Sequence, residues 1–441
     1  MHDDRSTSAK EFAFLCLLTV LNVMNFVDRQ LLASFANFIV PDLGLTNTQF
    51  GLLTGFAFII FYASMGLFMG ALADNVHRPR LIAAGLALWS ALTAASGAAR
   101  GFLTLALPRM FIGVGESALT PTSMSLLSDR FPPSRLGFAS GFYYMGVPIG
   151  VGVSLLIAGY LGPAIGWRGC FYVLGAIGLV LAVVMLFVRE TPRRHLAAAS
   201  SGAKVTAGAP ERRGARALVR TLVQALRFSP ALTLTIAGGV AMHFVLGAAT
   251  FDQLWYVQER GFERAEIARM TGWIGMIAGI LGNLFGGMAG DWWLRRTGTG
   301  RAVFLFWLGI ALAPLNIAYR MVPGDSPFFW IGVFTGYFGL GAFYGPTFST
   351  VQELVPPQIR ATVVAFYVLM LNLIGLGIGI TFGGWMIDHL KATGVKEPYS
   401  VTLLAFTLLS QLAWPLFLLA GRRFRRDRER LFEAAEAAAA A

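Results

Sequence analysis

GCFYVLGAIGLVLAVVMLFV, residues 169–188, runs without a formal charge between Arg168 and Arg189. A helix of that length rises ~30 Å at about 1.5 Å per residue, which matches the hydrocarbon core of a bilayer. No water reaches the backbone there, so the segment must close its hydrogen bonds internally, as a helix does. Similar runs recur along the chain. Spans are expected at 12–34, 49–73, 80–99, 101–128, 136–160 and 167–188, then at 230–255, 267–290, 301–320, 327–352, 360–388 and 398–421. Only 13% of the 441 residues are charged, against roughly 25% in soluble domains, which must cover their outside with groups that water solvates. Mean hydropathy is +0.64. The expected class is an all-α membrane protein of twelve transmembrane helices.

The net charge of +12 lies mostly in short gaps between spans, so it reads as a topology signal and not as a nucleic-acid surface. One set of gaps holds Arg78, Arg80, Arg130, Arg135, Arg295, Arg296, Arg301 and Arg360, together with the basic residues from Arg189 to Arg227 and the tail from Arg422 to Arg430. The opposite set holds Arg100, Arg168, Arg260, Arg264, Arg320, Lys391 and Lys396. Both termini are therefore expected in the cytoplasm, with the protein in the inner (cell) membrane. The amino terminus is polar and leads straight into a full-length span, with no cleavable signal expected. Cys16 and Cys170 fall inside apolar runs, which argues against a disulfide framework.

The halves echo each other. Gly70-Ala-Leu-Ala-Asp74 matches Gly287-Met-Ala-Gly-Asp291, and Pro132-Pro133-Ser-Arg135 matches Pro356-Pro357-Gln-Ile-Arg360, at separations of 217 and 224 residues. The expected organisation is two pseudo-symmetric six-helix bundles, 1–188 and 230–421, with a cytoplasmic linker at 189–229 and a basic tail at 422–441. Such repeats place a substrate site at the midplane between halves and work by alternating access. The linker allows for one surface helix. The tail reads either as a solvated flank or as a basic face on anionic lipid.

The stretch Gly70-Ala-Leu-Ala-Asp74-Asn-Val-His77-Arg78-Pro79-Arg80 resembles the signature between spans two and three of major facilitator transporters. Arg109-Met-Phe-Ile-Gly113-Val-Gly115-Glu116 resembles their fourth-span signature, and Arg189-Glu190-Thr191-Pro192 the motif closing the sixth span. His77 stands where a Gly is common and Pro79 where Lys or Arg is common. Within that superfamily, Asn25-Phe26-Val27-Asp28-Arg29 and Gly113-Val-Gly115-Glu116-Ser117-Ala118 look like the spinster group. That resemblance implies a proton-linked transporter of lysophospholipids or sphingoid lipids. A monomer without cofactor or metal is expected.

Charges within spans are costly, at least ~2.5–3.5 kcal/mol mid-helix, so they tend to face the bundle interior and serve a purpose. Asp28, Arg29, Arg109 and Glu116 are such charges. Arg109 and Glu116, seven apart, share one helix face, while the adjacent Asp28 and Arg29 point about 100° apart. They suggest a proton relay, with Asp28 primary, Glu116 a second carboxylate, and the two arginines altering their proton affinity. Static ion pairs holding the bundle together are the competing reading.

The second half offers Tyr337, Phe338, Tyr344 and Asn372 as substrate contacts beside Arg29, Arg109 and Glu116. An amphipathic cargo would set its headgroup against the charged half and its chain against the aromatic one. Asp252 reads as a solvated rim residue. Asp74, Arg78, Arg80, Asp129 and Arg135 are expected to form a cytoplasmic gate, repeated in part by Asp291 with Arg295 and Arg296.

Other classes fit less well. A channel would show a continuous polar path or a selectivity ring. An ATP-driven pump would carry a P-loop. An enzyme would need a nucleophile with its base or a set of metal ligands, and the five histidines have no ligand spacing. The expected partners are a small amphipathic substrate, protons and membrane lipids. A proton-linked drug or organic-ion exporter is the principal alternative, followed by a channel or a membrane scaffold.

Overall fold

Seven helices open on a proline in their first turn: Pro79, Pro133, Pro163, Pro230, Pro327, Pro357 and Pro398. A first-turn N–H has no intrahelical acceptor, so the ring costs nothing there and fixes a helical φ. The computed structural model describes residues 9–73, 75–192 and 215–440, which contain helices and turns and no strand.

The first half forms α1 (Ala9–Ser34), α2 (Ala36–Asp42), α3 (Asn47–Thr54), α4 (Phe56–Ala73) and α5 (Arg78–Ser96). It continues with α6 (Phe102–Glu116), α7 (Leu119–Arg130), α8 (Pro133–Tyr144), α9 (Gly146–Tyr160) and α10 (Gly162–Leu186). A helix α11 (Ala215–Phe228) follows in the region read as linker, most of which (193–214) lies outside the described residues. The second half holds α12 (Pro230–Ala248), α13 (Asp252–Gln258), α14 (Arg264–Thr297), α15 (Arg301–Ala318) and α16 (Pro327–Leu354). It ends with α17 (Pro357–Met370), a π-helical stretch at Leu371–Gly377, α18 (Ile378–Ala392), α19 (Pro398–Ser410) and α20 (Ala413–Ala440).

Eleven helical stretches among the described residues are long and apolar enough to cross a bilayer. The 19-residue α5 stands in the place of the third span and completes the twelve-helix arrangement.

The chain divides into two compact units. Met1–Leu45 with Ala57–Ala209 form one, and Thr46–Phe56 with Pro210–Ala441 form the other. In the first, α1 lies along α9, and α5 lies between α6 and α10. In the second, α14 runs along α16 and α12 along α20. The short α3 belongs to this second unit, where Asp388 of α18 caps it: the carboxylate accepts the backbone N–H groups of Asn47 (3.1 Å) and Thr48 (2.7 Å).

Glycines set how closely the second unit's helices approach. A methyl at Gly286 would sit 2.2 Å from the Ala342 carbonyl oxygen, whereas one at the adjacent Gly287 meets nothing within 4 Å. Gly286→Ala is therefore expected to destabilise by ~1–3 kcal/mol through overpacking. Gly287→Ala should be neutral or stabilising by up to about 1 kcal/mol, the helix-propensity difference. Thermal unfolding of the two purified variants in one detergent checks the contrast, and equal midpoints would refute it.

The last span does not stop at 421. It continues into the tail as one helix, α20, whose buried Phe424, Asp427 and Leu431 lie along one face while Arg422, Arg423, Arg425, Arg426, Arg428 and Arg430 are exposed. Asp427 accepts the backbone N–H of Ala231 at 2.7 Å, tying the tail to the first turn of α12.

Candidate functional site

Asn22, Asn25 and Arg29 recur at helical spacing, giving α1 one polar stripe with Asp28 beside it. Asn22 donates from Nδ2 to the Tyr143 carbonyl at 2.9 Å, which fixes the stripe toward the inside of the first unit. Asp28 is 3% exposed, and neither carboxyl oxygen has a hydrogen-bond partner. The indole of Trp89 and the hydroxyl of Thr93, both on α5, lie beside it without closing a bond.

Glu116 comes from the break between α6 and α7, where Gly113 and Gly115 permit close packing on two sides. A methyl at Gly113 would sit 2.8 Å from the Phe58 carbonyl oxygen, and one at Gly115 2.7 Å from that of Gly85. Glycine is what the backbone approach requires at both places. The break leaves Glu116 buried against Arg29, whose Nε and Nη2 donate to its Oε2 at 3.2 and 3.1 Å. The Arg29 guanidinium also stacks over Tyr62 (4.4 Å), Phe26 (4.9 Å) and Phe58 (5.1 Å). Glu116 Oε1 has no partner.

Arg109 meets the cluster through the main chain. Its guanidinium donates to main-chain carbonyls, that of Asp28 at 3.3 Å and that of Arg29 at 2.8 Å, and lies over the Phe58 ring at 4.7 Å. It bonds to no carboxylate among the described residues, although Asp28 and Glu116 both lie within its electrostatic reach. The four charges thus form one cluster in which Arg29–Glu116 is closed, Asp28 is open, and Arg109 grips the α1 backbone between them. Sequence reasoning missed Tyr62, Trp89 and Thr93, because aromatic and hydroxyl residues in apolar spans carry no signal of their own.

In the second unit the proposed contacts are scattered. The Tyr344 hydroxyl lies 3.4 Å from His243 Nε2, whose Nδ1 lies 2.9 Å from the Gly239 carbonyl oxygen. Phe338 stacks on Phe334 and meets Phe285 at a tilt. Asn372 sits in the π-helical stretch, its Nδ2 donating to Val368 at 2.8 Å. Tyr337 packs on Gly275.

Asp252 is not a solvated rim residue. Its side chain is 14% exposed, and Oδ1 accepts from Arg320 Nη1 at 2.6 Å, with the Arg320 side chain 3% exposed. A lone acid near a span end gives no hint of a cation 68 residues away.

Both units carry a charge hub at their basic ends. Arg78 donates to Glu190 (2.9 Å), Asp129 (2.5 Å), Ser125 (2.9 Å) and the Thr191 carbonyl (2.6 Å), with its side chain 1% exposed. The two departures in the signature have a local reason. His77 caps α5 by accepting the Arg80 N–H at 3.4 Å, and Pro79 occupies the first turn. Arg80 is exposed, Arg135 is partly buried at the start of α8, and Asp74 lies outside the described residues.

In the second unit the hub is Arg301, bonded to Asp291 (2.8 Å) and Glu353 (2.7 Å). Arg295 and Arg296 are exposed and do not make the expected pair with Asp291. Glu190 as a partner was legible only through the motif closing the sixth span. No group of three or more His, Cys, Asp or Glu among the described residues is placed to hold a metal.

Apolar helices of bilayer-spanning length, with a cluster of charges buried among those of the first unit, fit a membrane transporter. The chain belongs to the Major Facilitator Superfamily, whose sequence profile matches residues 18–380. It is 28% identical to an MFS-type efflux pump of Mycolicibacterium smegmatis over 97% of this chain and 96% of that protein. It is 24% identical to a probable sphingolipid transporter, spinster homolog 1, of Arabidopsis thaliana, covering 91% of this chain and 87% of that one. Among solved structures it is similar to a bacterial homolog of the human lysosomal transporter Spinster in an inward-facing, occupied conformation. The TM-score is 0.80 at 24% identity, covering 96% of this chain and 99% of that one. It is an integral membrane protein of that superfamily, similar in sequence to spinster proteins.

Proposed function

We propose that the protein is a proton-coupled secondary transporter of an amphipathic lipid such as a lysophospholipid or sphingoid lipid, working by alternating access in the cell membrane with both termini cytoplasmic. The observation that carries the coupling is Asp28: a carboxyl buried among helices with no partner is tolerated when it can take up a proton and become neutral.

Loss of that proton leaves a carboxylate whose nearby cation, Arg109, is bonded to the α1 carbonyls. Moving the guanidinium from main chain to carboxylate releases α1 there, which links proton occupancy to helix position. A phosphate headgroup competes for the same donors, since an arginine fork matches phosphate oxygens. Arg29 is half-engaged with Glu116 and partly exposed, and so is the first to meet such a group. The lipid class is supported by the spinster-like relatives. The orientation is supported by the basic gaps, and the amphipathic fit by the contrast between a charged first unit and an aromatic second one.

The similarity to an efflux pump over nearly both full chains favours one other reading, a proton-linked exporter of drugs or organic ions. Lysophospholipid flux into proteoliposomes, with and without an imposed pH gradient, separates the two. Gradient-dependent lysophospholipid flux, inhibited by single-chain amphiphiles and not by soluble cations, is the expected result. Competition by organic cations, with no lysophospholipid flux from folded protein, would establish the exporter instead.

A further inference from the structure

The turn between α14 and α15 gathers cations beside an apolar groove. Phe285, Met288 and Trp292 of α14, with Trp307 and Leu308 of α15, line the groove, whose volume is about 590 Å³. Met288 is 67% exposed, Trp292 58% and Trp307 53%. An apolar hollow holds no water, and on membrane-spanning helices the group at hand to fill it is an acyl chain.

Helical spacing carries the wall of the groove on into charge. Met288, Trp292, Arg295 and Arg296 follow at i, i+4, i+7 and i+8, which is one face of α14. Both arginines are exposed, and both stand one turn, ~5 Å, beyond Trp292. Tryptophan gathers at the headgroup level of a bilayer, so these guanidinium groups lie where lipid phosphates lie.

Arg425 reaches the same turn from α20. Gly298 has a left-handed φ of 68°, and a methyl there would strike the Arg425 guanidinium. The turn itself is tied down. The Gly300 N–H donates to the Gly421 carbonyl of α20 at 3.2 Å, and the Trp293 indole donates to Thr299 Oγ1 at 2.9 Å.

The nearby acids are engaged elsewhere. Asp291, one turn before Arg295, is taken by Arg301 at 2.8 Å, as is Glu353 at 2.7 Å. Asp427 accepts the Ala231 N–H, and Glu429 is exposed. Among the described residues Arg295, Arg296 and Arg425 form no ion pair.

We propose that this corner is a binding site for an anionic phospholipid of the bilayer. Its phosphate lies on Arg295, Arg296 and Arg425, bridging α14 and α20, and one acyl chain fills the groove. The planar fork of arginine matches phosphate oxygens. A zwitterionic headgroup brings a cation of its own, which the three arginines repel. This lipid stays bound and is not the cargo. The site uses none of the Asp28 cluster and does not depend on the transport reading.

Brominated acyl chains quench tryptophan on contact, and Trp292, Trp293 and Trp307 line the groove. The full chain in nanodiscs of unlabelled phosphatidylcholine is titrated with brominated phosphatidylglycerol, or with brominated phosphatidylcholine of the same chains. Phosphatidylglycerol should reach half-maximal quenching at a mole fraction at least ~10-fold lower, each basic residue at an anionic surface being worth about fivefold. Arg295→Gln, Arg296→Gln and Arg425→Gln combined should bring the two curves together. Trp292→Phe with Trp307→Phe should lose most of the quenching that is selective for phosphatidylglycerol.

Coincident curves for the native protein overturn the proposal. A preference that survives in the arginine variant does so too, as does selective quenching unchanged without the two tryptophans, because the lipid then sits elsewhere. All five substituted side chains are exposed, so both variants should fold. Should the arginine variant fail to, the native protein in 1 M salt takes its place, where screening acts within ~3 Å. Converging curves there support the site, and an unshifted preference refutes it.

Discussion

Asp28→Asn should abolish the response of transport to a pH gradient while the protein still folds and still exchanges substrate down the substrate's own gradient. The amide is nearly isosteric with the acid, cannot take up or release the proton, and keeps an oxygen that can face the Trp89 indole and the Thr93 hydroxyl beside it. Coupling free energies of about 1–3 kcal/mol correspond to ~5–150-fold effects, so the ratio of fluxes with and without the gradient should fall by a factor in that range, to one. Paired flux measurements in proteoliposomes give the ratio for native and variant protein. A ratio unchanged in both Asp28→Asn and Glu116→Gln would remove the relay and leave the cluster as a structural brace.

Arg78→Ala should destabilise the protein far more than Arg301→Ala, although the two arginines hold corresponding places in the repeat. Arg78 is 1% exposed, and its partners Asp129 and Glu190 are 11% and 28% exposed. Removing it takes the guanidinium away from two carboxylates, Ser125 and the Thr191 carbonyl at once. Breaking a buried pair in this way costs ~3–5 kcal/mol. Arg301 is 12% exposed, but Asp291 and Glu353 are 50% and 37% exposed. Water replaces that loss, and a solvated pair contributes only about 0–1 kcal/mol. Thermal unfolding of both variants in one detergent tests the difference, and similar midpoints would mean that the first hub is no more buried in the working protein than the second.

The helices were legible because their cause is local. Each apolar run had to satisfy its own backbone in lipid, and the prolines and glycines at the ends mark where that requirement stops. The structure moves most boundaries by only a few residues. It departs furthest at α20, where the sequence turns polar but the helix continues because Phe424 and Leu431 find the second unit's core. The candidate cluster was legible as a set of residues and not as a set of bonds. Charges inside spans announce themselves by their cost, which singled out Asp28, Arg29, Arg109 and Glu116. Spacing alone could not show that Arg109 holds carbonyls while Arg29 holds Glu116.

What the sequence determined by itself was the membrane class, the twelve helices, the repeat and the short list of charges, because each follows from composition and spacing along one chain. What only the tertiary structure decided was pairing: Asp291 with Arg301 in place of its sequence neighbours, Asp252 with Arg320, and Asp28 with no partner. A pair depends on two side chains from different helices arriving within about 3 Å of each other, and that distance is set by how the helices pack.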